Sequence, residues 1–355
     1  MCNVINPAAT GGSRSYGELV EIAPGALLIV GRMRNLEAGV SSVANTVMYK
    51  SGTRLVVIDV GATAGFRAYL DEAARRLQPY DRVTLISTHG HCDHTGNNGW
   101  IDTLGVPAEA YMSVRDLAMM RDQINTFVPM FDEARPFVPG MPAGRVLAES
   151  AIGQFGTLDV ETRSLTLLES LPSEEIRIGS TLWNGWRLFG GEVVALKTQG
   201  HTVGHVAVLL PAIGHLHLAD ETTSYYQAFG GGSPETNLLT LERTAQALRE
   251  GAIRSLTDGH SFEFYPREQA TAYLERLVGS ALAFDAAITR ILREHPGGIR
   301  VPDLMAKLRA APEMEGAPMS AEANPILPVM QLLNKMKELG VPVPAEGEGL
   351  LRFPR

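Results

Sequence analysis

The chain has 355 residues and a formal net charge of −8, with 45% of its residues hydrophobic and 20% charged. That balance excludes a disordered chain, and the acidic surplus argues against a nucleic-acid partner, since phosphate affinity comes from clustered Lys and Arg. Two cysteines, Cys2 and Cys92, exclude a disulfide framework and fit a reducing compartment.

A chain of this length buries a core without staples, and length alone suggests two domains or one large domain with additions. The opening segment, MCNVINPAATGGSRSYGELVEIAPG, has no basic stretch followed by an apolar one, so no signal peptide is expected. No run approaches the ~18–20 apolar residues of a membrane span. The expectation is a cytoplasmic protein with no membrane partner.

Strands rich in Val, Ile and Leu are predicted at Leu19–Ile22, Ala26–Val30, Ser42–Tyr49 and Leu55–Val60, with turns at Pro24-Gly25, Asn35 and Ser51-Gly52. Phe66–Leu77 carries apolar residues at helical spacing and stops before Pro79. Val83–Ser87 is a buried strand that runs into THGHCDHTGN. Strands, a helix, a further strand and a polar loop predict an α/β layered domain.

Residues 106–171 are less regular: a helix over Val114–Phe127, then the Pro-, Gly- and Met-containing FVPMFDEARPFVPGMPAG, expected to form a lid-like loop. Strands resume at Glu175–Ile178, Trp186–Phe189, Val193–Thr198, Val206–Leu210 and Leu216–Leu218. Helices are predicted over Thr240–Arg249 and Arg267–Val278, with a strand at Ile253–Leu256 between them. The catalytic domain is therefore placed at 1–280, with 106–171 as an insert.

Residues 281–355 are expected to be a separate appendage, with helices around Phe284–Arg293, Val301–Arg309 and Val329–Leu339 and a hairpin-like end, VPVPAEGEGLLRFPR. Helices followed by a small hairpin suggest a winged helix, but nine basic residues balance nine acidic ones there, which disfavours DNA reading. Closing a pocket or joining subunits, as a homo-oligomer or a complex with a related chain, suits this tail better.

Histidine carries the chemical signal. Three of the nine histidines fall in His89-Gly90-His91-Cys92-Asp93-His94, beside a carboxylate. Neutral imidazole and carboxylate together are ligands for zinc or iron. One histidine in a polar loop would be read as a backbone cap; three with an aspartate, between Gly90 and Gly96, are not.

HxHxDH with this order of further motifs resembles the metallo-β-lactamase fold superfamily. VVIDVGAT supplies Asp59 before the first helix, Gly200-His201-Thr202-Val203-Gly204 supplies a further histidine turn, HLADE supplies Asp220 and SLTDGH supplies His260. The resemblance implies an αββα sandwich with a helical or loop insert and a C-terminal winged-helix-like appendage. It implies two metal sites: His89, His91 and His201 at one, Asp93, His94 and His260 at the other, and Asp220 bridging them. Asp59 would stand behind the ligands and fix the His loop, and Asp93 would also orient a hydroxide or return a proton. Two Zn2+ ions are expected, with Fe or Mn as alternatives.

His205, His215 and His217 are expected to support or pack, and Cys92 to pack. Tyr225 and Tyr226 follow Asp220 closely, so either could aid a developing oxyanion or simply pack. Met119, Met120, Phe127, Met130 and Phe131, with Met112, Met141 and Phe137, are either core or a malleable apolar wall over the metals. The function expected is a dinuclear zinc hydrolase acting on a small, largely apolar molecule: an ester or lactone first, an activated aryl ether or phosphotriester second. The alternatives are a mononuclear-iron persulfide dioxygenase and a glyoxalase II-like thioesterase.

Overall fold

A period of two along the strands builds three of the four cores. In the computed structural model, which describes residues 14–31, 43–222, 230–261, 263–315, 326–345 and 349–352, fourteen strands form two seven-stranded sheets among those residues. The first holds β1 (Leu19–Ala23), β2 (Ala26–Ile29), β3 (Thr46–Ser51), β4 (Arg54–Ile58), β5 (Arg82–Ile86), β6 (Ala108–Met112) and β7 (Leu165–Leu167), in that order across the sheet. The second holds β8 (Glu174–Ile178), β9 (Thr181–Leu188), β10 (Val193–Lys197), β11 (Val206–Leu210), β12 (His215–His217), β13 (Ser255–Thr257) and β14 (Tyr265–Pro266), again neighbour to neighbour.

Leu55 and Val57 of β4 face outward onto helix α1 (Ala64–Arg76), whereas Val56 and Ile58 face inward between the sheets. On β10, Val193 and Ala195 face the first sheet, and Val194 and Leu196 face the helices α6 (Pro234–Arg249) and α7 (Arg267–Glu294) on the far side. Alternating residues thus serve two layers at once, as a sheet covered on both faces requires. Helix α1 presents Phe66, Leu70, Ala73 and Ala74 as its buried stripe, and Arg75 and Arg76 stand in its last turn, favoured by the helix dipole.

Both sheets end their parallel pairs at one rim. β4 and β5 run parallel with Ile58 beside Ile86, so the loops carrying Asp59 and His89 emerge side by side. β12 and β13 run parallel with His217 beside Thr257, so the loops carrying Asp220 and His260 do likewise. The backbone N–H of Val206 donates to the Thr88 carbonyl at 2.8 Å and ties the two rims together.

The insert departs from the loop expectation. It contains α3 (Leu117–Arg121), α4 (Gln123–Ala134) and α5 (Gly144–Gly153), following the four-residue α2 (Cys92–Thr95) of the His loop. Pro129 lies inside α4 and removes one ladder bond, a cost of about 3 kcal/mol. Phe127 and Phe131, buried on the same helix, offset it, so a proline that reads as a breaker sits in a continuous helix.

Two further expectations change. α7 runs unbroken for 28 residues through the boundary expected at 280/281. Its first half, with Tyr273, Leu274 and Leu277, packs on the second sheet; its second half, with Phe284, Ile288 and Ile291, joins another core. That core unites the insert and the tail, because Phe127, Phe131 and Phe137 share it with residues of α8 (Val301–Arg309) and α9 (Ile326–Glu338). In the hairpin-like end, β16 (Leu350–Leu351) pairs antiparallel with β15 (Ile299–Arg300). No helix among the described residues is long and apolar enough to cross a membrane.

Candidate metal centre

Seven side chains meet where the two rims face each other. His89, His91, His201 and Asp220 form one group, and Asp93, His94 and His260 a second; all seven are buried, and the potential ligand atoms within each group lie within 4.8 Å of one another. His89 Nε2 is 2.9 Å from His91 Nδ1, which is 3.1 Å from His201 Nε2. Asp220 turns Oδ2 to His201 Nε2 at 3.4 Å and Oδ1 to His94 Nε2 at 3.0 Å and His260 Nε2 at 3.4 Å. Asp93 Oδ2 stands 3.2 Å from His260 Nε2.

These separations, 2.9–3.4 Å between the closest donor atoms, are compatible with shared metal ions. A tetrahedral ion with ligands at about 2.0–2.1 Å has ligand-to-ligand edges of about 3.3 Å. Charge points the same way. Burial pushes His260 down, yet Asp220 and Asp93 raise it to about 9; burial likewise opposes His94, and Asp220, Asp59 and Asp93 raise it. The carboxylates call for positive charge in this space, which divalent cations supply. The residues present therefore fit two adjoining metal sites with Asp220 shared.

Glycines let the loops close. A Cβ on Gly90 would stand 2.6 Å from the Asp116 carbonyl oxygen, and one on Gly259 would overlap Asp220 Oδ1. Only glycine admits these approaches.

Four buried carboxylates stand behind the ligands. Asp59 accepts from Thr88 N–H and Thr88 Oγ1 and from His94 Nδ1, all at 2.8 Å. Thr88 Oγ1 also meets His89 Nδ1 at 3.1 Å, so both histidines are held by Nδ1 and keep Nε2 for a metal. Burial raises the Asp59 pKa, but His94 and His217 bring it down to about 2, so it stays ionised.

Asp116 accepts from Gly90 N–H at 3.1 Å and Gly204 N–H at 2.9 Å, as well as from Thr202 Oγ1, and so fastens the His89–His94 loop to the His201 turn. Glu221 accepts from the N–H groups of Gly200 at 2.9 Å and His201 at 3.3 Å. Asp258 accepts from His260 N–H at 3.2 Å and Ser261 N–H at 2.7 Å. Sequence reading found Asp59 alone of these four. Asp116 and Glu221 bond groups of loops remote in sequence, whereas Asp258 bonds N–H groups two and three residues further along its own loop.

The histidines expected to support or pack are all buried. His205 Nε2 accepts from Asp220 N–H at 3.3 Å, so it holds the shared ligand by its backbone. His217 lies 3.8 Å from Asp59 Oδ2 and joins Thr257 Oγ1 at 2.9 Å, which in turn meets His215 Nε2 at 2.9 Å. Cys92 faces the α1 core, and burial raises its thiol pKa, which suits packing.

The proposed apolar wall divides. Phe127 stacks on the His91 ring, with centroids 5.2 Å apart, and Phe131 stacks in turn on Phe127 at 5.9 Å, inside the helical core. Met119 lies between Gly90 and Gly230. Met130 Sδ accepts from Gly230 N–H at 3.4 Å, and buried Met120 accepts from Asn98 Nδ2 at 3.4 Å. Phe131 and Met120 are core, therefore, whereas Phe127 and Met119 touch the metal loops. Tyr225 and Tyr226 lie outside the described residues.

Comparison with known proteins agrees with this geometry. Residues 41–220 match the family model of the metallo-beta-lactamase superfamily. No curated protein matches the chain in sequence. Among solved structures, a metallo-beta-lactamase family protein from Thermus thermophilus aligns with a TM-score of 0.57 at 16% identity, over 90% of this chain and 96% of that one. A beta-lactamase domain protein from Burkholderia ambifaria aligns with a TM-score of 0.58 at 15% identity, over 97% and 95%. The stereoselective inverting sec-alkylsulfatase of Pseudomonas sp. aligns with a TM-score of 0.58 at 15% identity, over 91% of this chain but 50% of that longer one. At such identities the likeness is one of fold.

Proposed function

Because the chain belongs to the metallo-β-lactamase superfamily, we propose that it is a hydrolase that uses two divalent ions, zinc foremost, to open an ester or lactone in a small, largely apolar molecule. The observation that carries this reading is the complete set of buried donors, with Asp220 turning one oxygen to each group. His89, His91 and His201 would hold one ion, Asp93, His94 and His260 the other, and Asp220 both. When bound, such ions supply a hydroxide at neutral pH and polarise a carbonyl.

The chain's own groups do the rest. Asp59, Asp116, Glu221 and Asp258 hold the ligand loops so that little rearrangement is needed during reaction. Asp93, kept ionised by His94 and His260 and 3.2 Å from His260 Nε2, would orient the hydroxide or return a proton to the leaving group. Phe127 on His91 makes one side of the centre apolar and excludes water there.

Metal analysis combined with a panel of esters, lactones, thioesters, aryl ethers and a secondary alkyl sulfate tests the reading. Two zinc ions per chain and turnover of an uncharged ester or lactone, reduced about 100-fold or more in His91→Ala, are expected. Trace metal only, or undiminished activity in His91→Ala, overturns it. One iron per chain with thiol-dependent oxygen uptake selects the persulfide dioxygenase instead.

A further inference from the structure

The tail helix does more than pack. A cavity of about 450 Å3 lies between α4, the glycine turn Gly230–Gly232 and α9, within the roughly 300–1,000 Å3 of small-molecule pockets. Thr126 and Met130 of α4 face Met330, Leu333 and Asn334 of α9 across it.

Both walls adjoin the metal centre. Phe127, beside Thr126 on α4, stacks on His91. The glycine turn lies against the other ligand loop, since Gly231 bridges to Thr202 and Val203 N–H donates to the Gly230 carbonyl at 3.4 Å. A Cβ on Gly232 would overlap the carbonyl oxygens of Gly200 and His201, so the turn can be built only of residues this small.

The charges around the cavity are already matched. Lys337 pairs with Glu133 at 2.6 Å, and Glu338 pairs with Lys335 at 2.6 Å and accepts from Glu235 N–H at 3.1 Å. No unmatched cation among the described lining residues awaits an anion, and two carboxylates would repel one. Methionine and leucine surfaces with Thr126 and Asn334 suit an alkyl or aryl chain carrying an uncharged polar group.

We infer that this cavity is a binding site for the part of the substrate remote from the scissile bond, a neutral alkyl or aryl chain, and that α9 of the tail thereby sets specificity. The assignment of the ligand as substrate rests on the hydrolase reading; the binding site itself does not.

The test uses the full chain and two independent cavity-filling variants, Thr126→Trp and Asn334→Trp, both at half-buried positions. Titration calorimetry with octan-1-ol and with octanoate reads binding without catalysis. Octan-1-ol is expected to bind the parent chain, octanoate about tenfold more weakly, and each variant to lose about tenfold in octan-1-ol affinity. In parallel, the ratio of activity on octanoyl to acetyl esters should fall about tenfold in both variants. Absence of octan-1-ol binding to the parent chain, equal binding of octanoate, or unaltered binding in both folded variants overturns the inference. Intact octan-1-ol binding with no ester turnover overturns the hydrolase reading alone, and acetyl-ester turnover without octan-1-ol binding overturns this site alone.

Discussion

The rim that carries the candidate metal ligands and the helical unit beside it are held by different means. At the rim, Asp59, Asp116, Glu221 and Asp258 fix backbone N–H groups and imidazole nitrogens one bond at a time. In the helical unit, the insert and tail interlock mainly through apolar residues such as Phe127, Phe131, Phe284, Leu304 and Leu333, with ion pairs such as Lys337–Glu133 toward the surface. Directional bonds set ligand atoms to within tenths of an ångström, while apolar packing tolerates substitution of shape. Phe127 is where they meet, a core residue of the helices lying flat on a ligand of the rim.

This division can be broken most forcefully at Asp116. In Asp116→Ala, the N–H groups of Gly90 and Gly204 and the hydroxyl of Thr202 lose their acceptor. Each stranded buried donor costs about 1–3 kcal/mol, and loss of a group orienting ligand loops lowers metal affinity about 10–100-fold. Chelator competition measures the affinity and thermal melting the stability. An unchanged metal affinity would mean that the two loops hold their places without Asp116.

The converse substitution is Leu304→Ala, buried in α8 and remote from every ligand. A cavity there costs about 2–5 kcal/mol in denaturant unfolding. Metal content should stay at the parent level, because no rim hydrogen bond among the described residues involves α8. Loss of metal in a still-folded Leu304→Ala protein would show that the helical unit holds the rim in place, and the separation drawn above would fail.

What the sequence disclosed follows the same line. The candidate ligands were legible as a cluster because His89, His91, Asp93 and His94 are neighbours in the chain, and because His201 and His260 sit in glycine-marked turns. Strands with continuous apolar runs, such as Leu55-Val56-Val57-Ile58 in β4 and Val206–Leu210 in β11, were legible within a residue or two, whereas the starts of β3 and β9 were misplaced by four and five residues and β6, β7 and β14 were missed. Asp116 was not legible: its three partners are 26, 86 and 88 residues away, and a lone aspartate before a helix looks like a solvated cap. The union of insert and tail was hidden for a related reason. Two amphipathic segments some 150 residues apart each show an apolar stripe, but a stripe does not name its partner. Pro129 hid the length of α4 by a rule that tertiary packing overrode.

The smallest effect concerns acid. Burial, with His217 nearby, lowers the His215 pKa to about 3, whereas in the unfolded chain it titrates near 6.5. Between those values the unfolded state binds a proton that the folded state refuses. His215 therefore adds no acid penalty above pH 6.5 and removes stability progressively as pH falls from 6.5 toward 3, by about 1.4 kcal/mol per pH unit. His215→Gln retains groups able to bond Ser255 and Thr257, the present partners at 2.9 Å, but cannot titrate. Denaturant unfolding from pH 7 to 4.5, with chelator present so that metal binding does not intrude, should show the parent chain losing stability faster than the variant. Insert and tail together hold one histidine, His295, against eight in the rest of the chain, so acid should loosen the sandwich ahead of the helical unit. Parallel stability curves would mean that His215 takes up its proton within the fold, and acid would then not tell the two regions apart.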